Sequence, residues 1–353
     1  MSMVKRVMWG IFICISILAV FALKWSNTQV QVDRSAADPA VVHANAAGLP
    51  EILLGEKYFE HSGLNLHYVE AGQGETVIFL HGFPSYWFSF LRQVEGLKND
   101  YHVVAVDSLG AGKSDAPLES KPYRLEAMAE HLNALIDHLG VKKVHLVGHD
   151  WGSALAIGFA QRYPDRVISV TGVGATSQNA SLHILETDPE SRETAKYVES
   201  FKSANPLLIV ALGGDKAVYD GAYKPLVESG KLTADEGEFF RAATGDPRRI
   251  NAHINWYRAN LPSPDAISEE DFWPSRKARV TVPALYIWGE NDQIYSQPAV
   301  DRMMSLSDDA ELLMFPEIGH WPHVRKADEV TAAIRKHIST ASASPETDAP
   351  TAD

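Results

Sequence analysis

Cysteine is all but missing: the 353-residue chain has one, Cys14, and it lies inside an apolar run near the N-terminus. No disulfide framework, thiolate metal site or cysteine nucleophile is therefore available to the remainder of the chain. Positive charge is also in deficit. Against 45 Asp and Glu stand 32 Lys and Arg, a formal net charge of -13, and no dense Lys/Arg cluster interrupts that acidity. Binding of nucleic acid through its phosphates is excluded on this ground, and the expected partner is a small uncharged or weakly charged molecule. There is no internal repeat. Two suggestive motifs each lack a necessary member. Gly112-Lys113-Ser114 resembles the end of a phosphate-binding loop, but Asp107 stands where the first glycine is required. His320 and His323 are spaced like metal ligands, yet Pro322 breaks any helix that would align them, so no metal or cofactor is implied.

Long apolar runs are confined to one place. Lys5 and Arg6 precede an almost unbroken apolar stretch over residues 7–23, closed by Lys24. It is at the short end of what spans a bilayer and longer than most signal-peptide cores, so residues 1–25 read as a membrane anchor or a signal segment. The basic residues before it favour a cytoplasmic N-terminus, which places the rest of the chain on the far side of the membrane, or exports it if the segment is cleaved. Residues 26–50, rich in Ala, Asp, Asn and Val without periodicity, read as a linker. Residues 341–353 read as a disordered tail.

Between these limits, apolar runs bounded by turn residues alternate with helical patterns. Strands are expected at 76–80, 102–106, 143–147, 167–173, 284–288 and 311–315, and helices at 125–139, 151–162 and 328–338. Val103-Val104-Ala105-Val106 shows no polar alternation, as expected of a parallel strand buried on both faces. The alternation stops near residue 178 and resumes near 280. The predicted organisation is an α/β domain in two parts, 51–178 and 279–340, interrupted by a helical cap at 179–278 that closes over the carboxyl ends of the strands.

The chemistry-bearing residues gather at those ends. Gly148-His149-Asp150-Trp151-Gly152 follows the strand at 143–147 and precedes a helix, the frame of a nucleophile elbow with a carboxylate at its centre. Taken alone, Asp150 could instead cap the following helix. His81-Gly82-Phe83-Pro84 follows the strand at 76–80, where the backbone N–H of Phe83, with that of Trp151, would form an oxyanion hole, and His81 itself reads as structural. Asp292 follows the strand at 284–288 and His320 the strand at 311–315. Nucleophile, acid and histidine thus appear in the chain order expected of a triad of this kind.

These motifs, with Trp87 and Phe88 after the first of them and Gly319-His320-Trp321 near the end, make residues 51–340 similar to the epoxide hydrolases of the α/β-hydrolase superfamily. The resemblance implies an α/β-hydrolase fold, a mostly parallel central sheet with helices on both faces and an inserted cap. In the cap, Asn255-Trp256-Tyr257-Arg258 is similar to the family segment bearing a ring-opening tyrosine, so Tyr257 inherits that role, and Tyr197 is the candidate for its partner. Attack by Asp150 on an epoxide carbon displaces an alkoxide, a poor leaving group that two phenols can serve with protons at neutral pH. His320, oriented by Asp292, would then activate water to hydrolyse the ester to a vicinal diol. Haloalkane dehalogenases are the alternative, because Asp150-Trp151-Gly152-Ser153-Ala154-Leu155 is equally similar to them; there a halide would need N–H donors from Trp151 and from Trp87 or a cap tryptophan. A non-catalytic, membrane-tethered binding protein is the remote alternative.

Overall fold

The computed structural model describes residues 34–47, 53–206, 209, 213–244 and 246–343. The segment at 7–23 lies outside them, and among the described residues no helix is long and apolar enough to cross a membrane.

Eight strands form one sheet in the order β1-β2-β4-β3-β5-β6-β7-β8. They are β1 (Gly55–His61), β2 (Leu64–Ala71), β3 (Thr76–Leu80), β4 (His102–Val106), β5 (Val144–His149), β6 (Val167–Val173), β7 (Ala284–Gly289) and β8 (Ala310–Phe315). From β4 to β8 neighbours pair in parallel, whereas β2 runs antiparallel to both β1 and β4. Strand β1 escapes hydrophobic patterning because Glu56, Lys57, Glu60 and His61 lie on an edge strand with one partner, where a continuous apolar run is not needed.

Alternation along the central strands divides the core into two layers. Ile78 and Leu80 of β3 pack with Leu132, Ile157 and Trp256 on one face. Val77 and Phe79 pack with Phe90, Leu97 and Ile334 on the other. The helix Trp151–Arg162 buries nearly all of its length against the sheet, consistent with its unbroken run of small and apolar residues.

Two expectations about the chain ends need correcting. The part of the expected linker that is described is not a free tether. Pro39–Ala47 is helical and buries Ala40, Val41 and Ala44. Asp38, itself buried, accepts the Trp87 indole N–H at 2.9 Å, and His43 meets Phe239 of the cap edge-on at 5.3 Å. The alanines that look unstructured in sequence are the small side chains that permit close docking. At the other end the last helix runs Ala327–Ala343, past the expected start of the tail, because Ala341 is buried on the core.

The cap contributes the helices Gln178–Thr187, Pro189–Thr194, Lys196–Ser203, Gly214–Ala222, Lys224–Glu228, Ala234–Thr244 and Pro247–Asn260. The last of these is fastened to the core along its length. Trp256 Nε1 donates to the Leu109 carbonyl at 3.1 Å, Asn255 to that of Leu118 at 2.9 Å, and Asn260 both donates to Tyr123 and accepts from Leu125, each at 2.8 Å. A helix so held presents Tyr257 from a rigid base.

Candidate active site

Four loops at the carboxyl ends of β3, β5, β7 and β8 converge. At the centre, Asp150 has φ 51° and ψ -122°, a left-handed conformation that a non-glycine residue adopts only when its surroundings force it. Its neighbours supply the force. A Cβ on Gly152 would collide with the Leu80 carbonyl, and one on Gly82 with the Asp150 side chain. Only glycine permits the backbone to pass at both points. The Asp150 carboxylate does not cap the helix that follows. Oδ1 instead accepts the Phe83 backbone N–H at 2.8 Å, and Oδ2 faces His320 Nε2 at 3.5 Å. The capping alternative is thereby removed.

His320 Nδ1 donates to Asp292 Oδ2 at 2.9 Å, and Asp292 Oδ1 accepts the Ile294 N–H at 2.8 Å. The Asp292 side chain is buried, so its charge is little screened. His149 Nε2 donates to the His320 carbonyl at 2.9 Å and ties the β8 loop to β5. His81 is a brace: its Nε2 accepts the Ser108 N–H at 3.0 Å, which leaves Nδ1–H to donate to the Gly82 carbonyl at 2.9 Å. This holds the Phe83 amide in place. Trp151 opens its helix, so its backbone N–H has no acceptor within the helix and is available beside that of Phe83.

Electrostatics follow from this packing. Burial raises the Asp150 carboxyl, but the His320 hydrogen bond and charge, with His149 and the Phe83 N–H, outweigh it and hold the group below the usual carboxylate range. Burial pulls His320 the other way, towards neutrality. Its bonds to Asp150 and Asp292 prevail and push it up to about 10. In the resting protein an imidazolium sits between two carboxylates.

A cavity of about 290 Å³ opens over Asp150, lined among others by Trp151, Val198, Tyr197, Tyr257 and Asp292. Tyr257 is buried, packed edge-on to Trp151 at 5.1 Å and perpendicular to Phe83 at 5.9 Å. Burial first, then the charges of Asp150 and Tyr197, lift its phenol well above 10, so it stays protonated. Tyr197 has 46% of its surface exposed and still lines the cavity, and burial with the charges of Asp150 and Asp292 pushes its phenol up to about 12. Both tyrosines therefore reach the same cavity as Asp150, from different cap helices. Arg258 locks those helices together, donating to the Lys202 and Ala204 carbonyls at 2.8 and 3.0 Å and to Asn251 and Asn255 at 3.0 Å each.

The structure adds a residue that motif reading missed. Tyr295 lines the same cavity, three positions after Asp292, and burial with the charges of Asp150, Tyr197 and Asp292 holds its phenol well above 10. Proximity to Asp292 in the chain was the available signal. The structure also removes two residues as halide donors. The Trp87 indole is wholly buried and bonded to Asp38, and the Trp256 indole is bonded to Leu109. Neither lines the cavity.

Similarity to known proteins agrees with this geometry. Residues 75–327 match the alpha/beta hydrolase fold family. The chain is 30% identical over 316 residues to epoxide hydrolase 3 of Xenopus tropicalis, covering 86% of this chain and 81% of that protein. It is 28% identical over 286 residues to epoxide hydrolase 4 of Homo sapiens, covering 77% and 75%. A Bacillus megaterium epoxide hydrolase solved in complex with an inhibitor superposes with a TM-score of 0.72 at 25% identity, covering 80% of this chain and all (100%) of that one. The chain is a hydrolase and belongs to the epoxide hydrolase family of the α/β-hydrolase superfamily.

Proposed function

We propose that the protein converts an epoxide to a vicinal diol through an ester on Asp150. The observation that carries this reading is the coincidence, in one cavity, of a carboxylate fixed by the Phe83 N–H and two phenols from the cap. Asp150 attacks a ring carbon, the C–O bond breaks, and the alkoxide takes a proton from Tyr257 or Tyr197. No atom leaves at this stage. The ester forms with loss of the Asp150 charge, which removes one of the two carboxylates that hold the proton on His320. His320 then gives up its proton, which restores the phenol that served the alkoxide, and as a neutral base it deprotonates water with Asp292 stabilising the imidazolium, and the hydroxide attacks the ester carbonyl. The Phe83 and Trp151 N–H groups stabilise the tetrahedral oxyanion, and its collapse releases the diol and regenerates Asp150.

Halide displacement is the less favoured chemistry here, because the indoles of Trp87 and Trp256 are engaged elsewhere. Intact-mass spectrometry of His320→Ala tests the proposal. An ester that cannot be hydrolysed should accumulate, and its added mass should equal that of the whole epoxide. With a haloalkane the added mass would be the substrate less hydrogen halide. A folded His320→Ala that gains no mass, with an epoxide the unmodified protein turns over, would sink the covalent assignment.

We also propose, from the sequence alone, that residues 7–23 hold the protein at a membrane with the catalytic domain extracytoplasmic. Recovery of intact chain in the cytosolic fraction would refute this.

A further inference from the structure

The cavity over Asp150 is small for a ligand site, at about 290 Å³. Its exposed lining residues, Glu190, Thr194, Tyr197, Gln293 and Ile294, mark its mouth. Ionisable charge in its lining is of one sign. Asp150, Glu190 and Asp292 contribute carboxylates, and no Lys, Arg or His lines the cavity among the described residues. His320, set behind Asp150 and Asp292, offsets one of those charges. Nothing offsets Glu190, for which the described residues provide no ion pair.

Arg192, Lys196, Lys202 and Arg276 lie on neighbouring cap segments, and each is engaged. Arg192 turns its guanidinium back onto the Leu185 and Glu186 carbonyls and onto Asp265. Lys196 pairs with Glu193 at 2.5 Å. Lys202 reaches the outer wall, where Nζ donates to the Leu261 carbonyl at 2.7 Å and pairs with Glu199 at 2.9 Å. Arg276 is shared between Glu186 and Glu269. A carboxylate entering this mouth would shed water, meet no cation and approach Glu190.

Resting on the epoxide-hydrolase reading, we propose that this site takes neutral and cationic epoxides and rejects those bearing a carboxylate a cavity's length from the ring, with Glu190 enforcing the choice at the mouth. Two like charges about 6 Å apart, at a dielectric intermediate between water and protein, lower binding about tenfold. Loss of the substrate's own hydration adds to this.

Three glycidyl aryl ethers of nearly equal size test the proposal: one with a para carboxamide, one with a para carboxylate and one with a para aminomethyl group. With the unmodified full chain near neutral pH and at low salt, kcat/KM for the carboxamide should exceed that for the carboxylate by about tenfold or more. The ammonium ether should match or exceed the carboxamide. Raising NaCl to about 0.5 M shortens electrostatic reach to about 4 Å and should narrow the gap severalfold. Glu190→Gln should shrink the same ratio about threefold or more, and the salt series reads the same field without any substitution. Equal turnover of carboxylate and carboxamide, an ammonium ether as slow as the carboxylate, or a ratio indifferent to both salt and Glu190→Gln overturns the proposal. If no epoxide of the three is opened, the epoxide-hydrolase reading falls first and this one with it.

Discussion

His320 lies between two carboxylates, with Nε2 facing Asp150 Oδ2 at 3.5 Å and Nδ1 bonded to Asp292 Oδ2 at 2.9 Å. Its proton is therefore held by both, and its affinity for that proton depends on whether Asp150 is free or esterified. Ester formation should show no inflection between about pH 6 and 9, since His320 stays protonated up to about 10 in the resting protein. Ester hydrolysis should instead rise with an apparent pKa well below that value. Stopped-flow tryptophan fluorescence separates the two steps. A common inflection near 10 in both would contradict the account.

The same proton bears on stability. His320 is raised from its ordinary 6.5 to about 10, so the folded state binds the proton more tightly than the unfolded chain. That contribution is fully present below 6.5 and is lost as pH rises towards 10. His131 and His323 act in the opposite sense. Burial lowers them to about 4 and about 3, so each destabilises the fold as pH falls from 6.5 through those values. In His320→Gln the alkaline component should be missing, and the Tm gap to the unmodified protein should narrow as pH rises from about 7 to about 10. A gap independent of pH over that window would show that the proton is not held in this way.

Tyr257 lines the Asp150 cavity from the cap helix that is fastened to the core. Tyr257→Phe should slow ester formation from an epoxide by about 10- to 100-fold, a loss of roughly 1.5 to 3 kcal/mol of charge-stabilising donation, with the fold retained. Any side activity on haloalkanes should be nearly unaffected, because halide departure needs no proton. Pre-steady-state rates with both substrate types decide this. An unchanged epoxide rate, together with faster wild-type turnover of haloalkanes, would favour the dehalogenase assignment.

Asp38 anchors the N-terminal helix by accepting the Trp87 indole N–H, while its other oxygen accepts the Ala40 N–H at 2.9 Å. Asp38→Ala should cost about 1 to 3 kcal/mol by leaving a buried donor unpaired. Asp38→Asn should recover much of this, since its carbonyl still accepts and burial already disfavours the charged form. Deletion through residue 47 should lower Tm by several degrees relative to deletion through residue 33. Thermal unfolding of the four variants measures the effect. Equal Tm values for the two deletions would show that the docked helix contributes nothing.

Legibility in the sequence tracked physical cause. Expected and observed strands coincide at 76–80, 102–106 and 167–173, where burial on both faces demands unbroken apolar runs. Strand β1 is not legible in the sequence because an edge strand tolerates charge, and β2 because Asn65, His67 and Glu70 interrupt its apolar residues. Helix 39–47 was not read either, because its alanines and valines gain meaning only from the surface they cover.

Local sequence supplied the elbow at Asp150, since the glycines it needs at 148 and 152 lie within five residues, although the backbone that Gly152 must clear is that of Leu80 in β3. It also determined which loops carry Asp292 and His320, because each follows its own strand. Only the tertiary structure decided which aromatic side chains share a cavity with the Asp150 carboxylate. Tyr197, Tyr257 and Tyr295 come from separate segments and meet in one cavity, whereas Trp87, nearer in sequence to Phe83 than any of them, turns its indole into the opposite layer towards Asp38. Where a side chain points across a helix or loop depends on what packs against it, and those partners lie far away in the chain.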